Sequence, residues 1–192
     1  MSRPAVATVT RLHDAQGQRL RMHRRVFGAA TQLLDADTDV SVPALAARAR
    51  LAPAAFYAHF PTIEVVFAEL YLDRVMQLPL DIDPEAGATS QVSQQLAAIT
   101  LVMADEPRLA RACTHALVST DDEVVADVRL RIAAEVKRRI ATALGGGAWP
   151  EVLATLESVF WGALLQAQSG SMSYRQMARQ LETMVALIVP EV

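Results

Sequence analysis

Apolar residues recur along this chain at intervals of three and four, and strict alternation with polar residues is rare, so the pattern predicts helices rather than strands. From Gln18 to Leu34, the residues Leu20, Val26, Phe27, Ala30 and Leu34 fall at helical spacing, with Arg21, Arg24 and Arg25 on the polar face. Asp35 to Asp39 is a break rich in turn formers. Ser41 then stands as an N-cap with Pro43 in the first turn, opening a short helix through Arg48. Arg50-Leu51-Ala52-Pro53 makes a second break, and Pro53 starts another short helix to Ala58, closed by Pro61. Thr62 can cap a longer helix to about Gln77, with Val66, Phe67, Leu70, Tyr71 and Val75 on one stripe.

Residues 78–89, containing Pro79, Pro84 and Gly87, read as the clearest interior linker. Five further helices are expected: 90–104, 107–118, 121–144 with Ser119 or Thr120 as cap, 150–168 and 173–189. Residues 1–17 show no clear period and read as a flexible basic arm. The second and third helices are joined by a tight turn, in the order of a helix-turn-helix, where one helix steadies against the DNA backbone and the next enters the major groove. A domain boundary is therefore expected near Pro61, between residues 18–60 and 61–192.

Charge sharpens this division. The 192 residues carry a formal net charge of -3. Residues 1–60 nonetheless hold eight arginines against four aspartates, a balance of +4, and the remainder a balance of -7. A basic end on an acidic body suggests that the N-terminal part meets a polyanion. Lys137 is the only lysine, and arginines can contact phosphate or guanine through two parallel hydrogen bonds. Apolar residues make up 52% of the chain, too many for a disordered protein. The single cysteine, Cys113, excludes an internal disulfide. With no apolar leader and no long uncharged apolar run, a cytoplasmic, nucleoid-associated protein without membrane contact is expected.

No enzymatic motif is present. His13, His23, His59 and His115 lack metal-ligand spacing, and Gly145-Gly146-Gly147 lacks the Lys-Ser/Thr of a phosphate loop. No cofactor or metal is implied.

The segment from Ser41 to Phe60 resembles the N-terminal signature of TetR-type transcriptional regulators, roughly T-V-x-x-I-A-x-x-A-G-V-S-x-G-T-L-Y-x-Y-F-x-S-K-E. It matches at Ser41, Val42, Leu45, Ala46, Ala49, Leu51, Phe56, Tyr57, His59, Phe60, Thr62 and Glu64. The resemblance covers about residues 18–75. It implies an all-α fold, with an N-terminal three-helix DNA-binding domain and a C-terminal helical ligand-binding and dimerisation domain. The implied function is a dimeric, ligand-responsive regulator, a repressor on a palindromic double-stranded DNA operator. The chain departs from the pattern at four places. Arg50 replaces the turn glycine, costing about 1 kcal/mol if the position takes positive φ. Ala52 replaces a capping serine worth about 1 kcal/mol. Ala54-Ala55 replaces Gly-Thr, and Ile63 replaces a lysine. DNA contacts are expected from Ser41, Arg48, Arg50, Pro53, Ala54, Ala55, Tyr57 and His59, with Phe56 and Phe60 in the core; the basic arm, through Arg3 and Arg11, can enter the minor groove. The alanine-rich reading helix leaves a second possibility open, a helical dimer of the same fold that has lost sequence-specific DNA binding and serves as a ligand-binding or interaction module.

In the second half, Leu153, Leu156, Phe160, Ala163 and Ala167 recur at helical spacing, as do Tyr174, Met177, Leu181, Met184 and Ile188. By analogy these stripes form a homodimer interface as a four-helix bundle. The alternative is an ordinary buried hairpin. Phe67, Tyr71, Met76, Met103, Cys113, His115, Phe160 and Trp161 are candidates to line a pocket for a small apolar effector. Scattered positions (Pro107 to Ala112, Asp121 to Val124, Val159 to Leu165) also resemble the regulatory half of actinobacterial sterol and lipid catabolism repressors.

Overall fold

The computed structural model describes residues 5–83, 85–118, 122–146 and 149–189, with side chains from residue 17 onward. Its described residues form α1 (Ala5–Asp35), α2 (Val42–Arg48), α3 (Pro53–Tyr57), α4 (Ile63–Gln77), α5 (Ala88–Leu101), α6 (Pro107–Val118), α7 (Glu123–Leu144), α8 (Pro150–Gln168) and α9 (Tyr174–Ile188). No helix among them is long and apolar enough to cross a membrane. The chain divides into two compact units, Met1–Val66 and Phe67–Val192. The division falls inside α4 rather than at Pro61, because the first turn of α4 contributes Val65 and Val66, both buried, to the first unit.

The expected arm is also corrected. Helix α1 begins at Ala5 and runs unbroken to Asp35. Extending an existing helix costs far less than nucleating one, and no proline interrupts the stretch after Pro4. Arg3 lies outside the described residues, and Arg11 is described only as backbone within α1.

Helix starts follow local chemistry. Ser41 Oγ accepts from the Ala44 N–H at 3.4 Å, and Thr62 Oγ1 from the Val65 N–H at 3.3 Å. Ser173 and Gln176 form a reciprocal capping box. For α7 the cap is Asp122, whose carboxylate accepts from the Val124 N–H at 2.7 Å; Ser119 and Thr120, the expected caps, lie outside the described residues. Three helix ends share one closing pattern, a left-handed residue flanked by two reversed backbone hydrogen bonds. That residue is Asp37 after α1, Arg50 after α2 and Gly170 after α8.

In the first unit, Val26, Phe27 and Ala30 of α1 meet Leu45 and Ala46 of α2, with Phe56 and Phe60 fully enclosed. The Phe56 and Phe60 rings lie 5.5 Å apart, and Phe27 meets Phe60 edge-on at 6.1 Å. Burying each such ring contributes about 1.5–3 kcal/mol. In the second unit α5 packs against both α7 and α9, and α8 against α9. Val92, Leu96 and Ile99 of α5, Ile132, Val136 and Ile140 of α7, Leu156 and Phe160 of α8, and Met177, Leu181 and Val185 of α9 form the core.

One charge sits inside that core. Arg139 of α7 is 1% exposed. Its Nε donates to Glu135 at 2.7 Å, Nη1 to Gln95 Oε1 at 3.1 Å and the Pro79 carbonyl at 3.3 Å, and Nη2 to the carbonyls of Val75 at 3.0 Å and Leu78 at 2.7 Å. All five guanidinium N–H groups are thereby used, and the C-terminal end of α4 is tied to α5 and α7.

Candidate nucleic-acid interface

Helix α2 ends at Arg48 and α3 starts at Pro53, so the whole turn occupies four residues. Arg50 adopts φ 53°, its N–H reaching the Ala47 carbonyl at 3.1 Å and the Leu51 N–H the Ala46 carbonyl at 2.9 Å. The left-handed cost expected for an arginine here is therefore real, about 1 kcal/mol. Arg25 of α1 offsets part of it by donating to the carbonyls of Ala49 and Arg50, the latter at 2.7 Å. Those carbonyls, one part-buried and one exposed, lie at a helix end, where a cation is favoured.

Phe56 faces inward, which turns the rest of α3 outward. Pro53, Ala54, Ala55, Tyr57 and His59 are all exposed, Tyr57 at 51%. Ala52 offers no side-chain cap, as its identity dictates. The result is an exposed apolar surface bearing a phenol and an imidazole. Alanine methyls of this kind can touch thymine methyls, while the Tyr57 hydroxyl and the imidazole can reach phosphates. Ser41 is half-buried and its hydroxyl is engaged in the α2 cap. Arg48 is exposed, its Nε donating to Gln32 Oε1 of α1 at 3.0 Å, and Arg50 is exposed beside it. The residues expected to contact DNA thus lie together on α2, its turn and α3. Sequence reasoning left out Arg24 and Arg25, which sit against this turn; their place on the polar face of α1 was the available signal.

Residues 28–70, from the middle of α1 through α4, match the family model described as bacterial regulatory proteins, tetR family. Over 169 residues, 86% of this chain and 79% of theirs, the sequence is 41% identical to proteins of Mycobacterium tuberculosis and Mycobacterium bovis, each described as an uncharacterized HTH-type transcriptional regulator. The chain belongs to the TetR family. A TetR transcriptional regulator from Rhodococcus sp. RHA1, 18% identical, superposes with a TM-score of 0.72 over 90% of this chain and 97% of that one, which supports the fold. Relatives and fold are those of transcriptional regulators, not enzymes.

The second unit of this TetR-family protein redistributes the remaining expected residues. Tyr71 and Met103 line a small cavity of about 20 Å³, together with Thr100, Thr114, Gln168 and Tyr174 among others. Thr114 and Tyr174 share a hydrogen bond of 3.2 Å, and Thr100 Oγ1 is buried without a partner. Burial pushes the Tyr71 phenol up from its usual value and does the same to the Cys113 thiol, so both are neutral. Phe67, Cys113 and Phe160 are buried but not among the lining residues. Met76, 60% exposed, and His115, also exposed, face away from the cavity, while Trp161 is half-buried with its ring edge-on to Phe160 at 5.2 Å. Six of the eight residues expected to line a pocket therefore lie outside the lining of this cavity. The polar members Thr100, Thr114 and Gln168 were missed, because an isolated hydroxyl or amide in an apolar helix carries no periodic signal.

Within one chain, the residues of the expected dimer stripes are placed as follows. Leu156, Phe160, Ala163, Met177 and Leu181 are buried within one chain, and Tyr174 belongs to the cavity. Leu153, Met184 and Ile188 are half-buried. The large apolar residues exposed on these helices are Leu165, 64% exposed, and Leu187, 82% exposed.

Proposed function

We propose that this TetR-family regulator is a homodimeric repressor that reads a palindromic DNA operator and answers to a small, uncharged, largely apolar effector. The observation that carries the DNA part is the outward face of α3, apolar and free of carboxylates, with Arg48 and Arg50 beside it. Pro53, Ala54 and Ala55 supply apolar contacts to base edges, and Tyr57 and His59 reach phosphates beside them. Two such heads read half-sites spaced by about 34–36 Å, one DNA turn. The outward faces of α8 and α9 support the pairing: Leu165 and Leu187 are exposed, and Gly162 leaves open space above α8.

For the effector, the cavity chemistry is the support. No charged side chain lines it, and hydroxyls of Tyr71, Thr100, Thr114 and Tyr174 surround an otherwise apolar space. At about 20 Å³ it has room for about one water molecule, against about 300–1,000 Å³ for a small-molecule pocket. An effector therefore binds only by spreading α5, α6 and α8, so the open state is favoured by ligand and the closed one by its absence. That differential affinity is what links ligand to DNA.

The test is selection of bound sequences from a random duplex library by the full chain, with and without an apolar-compound panel. An enriched palindrome supports the reading. Normal dimers with no enriched sequence would support the second reading, a module without sequence-specific DNA binding, which Ala52, Ala54 and Ala55 favour.

A further inference from the structure

The first unit holds a cleft of about 370 Å³ between α1, the end of α2 and the turn that follows. Its walls include Arg24, Arg25, Arg48 and Arg50, and no carboxylate. Among the described residues none of the four forms an ion pair, although the chain as a whole carries more acidic than basic groups. Gly28 opens the floor between Arg24 and Gln32, one turn away on either side. Like charges gathered without counter-ions raise the local potential, and a bound anion relieves it.

Arg50 adds an independent argument. Its φ of 53° is one that glycine adopts freely and an arginine adopts at a cost. Arg25 is spent on the carbonyls of the turn and holds that strained backbone in place. Strain retained at an exposed arginine that lines a basic cleft marks a residue kept for a function. We propose that Arg24, Arg48 and Arg50 form a phosphate clasp that grips the DNA backbone beside the groove read by α3, with Arg25 as its internal brace. This rests on the DNA-binding reading and assigns it a second contact face, one that supplies affinity without sequence information. An alanine-rich reading helix and a net negative chain make such a clasp necessary, because the α3 face itself carries few phosphate contacts.

The experiment measures anisotropy of a labelled 30-base-pair duplex of random sequence against full-length protein at several KCl concentrations. Each phosphate contact contributes about 0.9 to the slope of log K against log salt. Arg50→Gly and Arg24→Gln should each flatten the slope by about one contact per head and weaken binding about five- to tenfold at moderate salt. Arg179→Gln, which removes the same charge from α9, should change neither. Thermal melting separates role from scaffold: Arg50→Gly relieves strain, so this variant should melt no lower than the wild type while binding less tightly. Unchanged slopes in both variants, with wild-type binding intact, would overturn the clasp and leave the α3 reading standing. No salt-dependent binding by the wild type would remove both.

Discussion

Replacing Arg139 with methionine tests whether the buried guanidinium holds the second unit together. The methionine fills much the same volume but removes five hydrogen bonds. Not all of those losses count equally. Glu135 keeps Arg138, whose guanidinium lies 2.6 and 2.7 Å away, so no carboxylate is left unpaired. The Val75 carbonyl keeps the Leu78 N–H at 3.3 Å, and the part-buried Pro79 carbonyl can take water. What remains orphaned is Gln95 Oε1, the amide being 2% exposed, while the part-buried Leu78 carbonyl loses its shortest partner. At about 1–3 kcal/mol for each unsatisfied buried acceptor, less the gain from burying an apolar side chain, the expected loss is about 3 kcal/mol. That is near the lower end of about 3–5 kcal/mol for breaking a buried pair, and a large share of a typical stability of 5–15 kcal/mol. Both tryptophans, Trp149 and Trp161, belong to the second unit, so urea unfolding followed by their fluorescence reports on the right structure. Arg139→Lys should also lose stability, since an ammonium cannot fork to five acceptors. A loss under about 1 kcal/mol for the methionine variant, or a lysine variant indistinguishable from wild type, would refute the bracing role.

Three further outcomes are expected. Arg138 first, then Arg139, holds the Glu135 carboxyl below the usual glutamate range against the opposing effect of burial; its stabilisation is fully present above about pH 4.3, the ordinary glutamate value, and is lost as pH falls through the lowered folded value, so acid unfolding of Glu135→Gln should lose that part of its pH dependence. Thr100→Val replaces an unpartnered buried hydroxyl with a methyl of the same shape and should raise stability by about 1 kcal/mol in urea unfolding, while lower stability would show that the hydroxyl is paired in solution. Leu165→Glu combined with Leu187→Glu places charge on the outward faces of α8 and α9; if these faces pair as proposed, light scattering should show a dimer for the wild type and monomers for this variant at the same concentration, and a variant that still dimerises would move the interface elsewhere.

Helix ends were the most legible part of this chain, and for identifiable reasons. Pro53, Pro107 and Pro150 begin helices because each lacks an N–H that a first turn would leave unused, and Ser41 and Ser173 cap because their hydroxyls reach a backbone N–H. Arg139 shows where reading stopped short. In sequence it joins Lys137 and Arg138 as a basic run suited to the end of α7, a dipole argument that needs an exposed side chain. Yet Ile132, Val136, Arg139 and Ala143 are spaced four, three and four, which places the arginine on the buried stripe. Charge argued for solvent, periodicity for the core, and periodicity won because Glu135, Gln95 and three carbonyls were waiting there. The four-arginine cleft was hidden for another reason. Its members come from α1 and from the end of α2, more than twenty positions apart, and only the packing of those helices brings them together.

The expected dimer stripe is largely buried within one chain by the same physics that made the helices readable. A hydrophobic stripe at helical spacing identifies the face with most to gain from leaving water, and a helix in a globular unit spends that face on its own core first. On α9 that face is Met177, Leu181 and Val185, all within 1% of full burial. A surface that pairs with a second copy must stay soluble before it pairs, so it takes isolated apolar residues among small and polar ones. Helix α8 follows this rule outside its buried stripe, with Thr155, Ser158, Gly162 and Leu165 exposed, as does α9 with Gln176, Gln180, Thr183 and Leu187. In sequence such a face is nearly indistinguishable from an ordinary solvated one. The strongest periodic signal therefore locates the core, and the candidate interface must be sought on the faces that this signal leaves over.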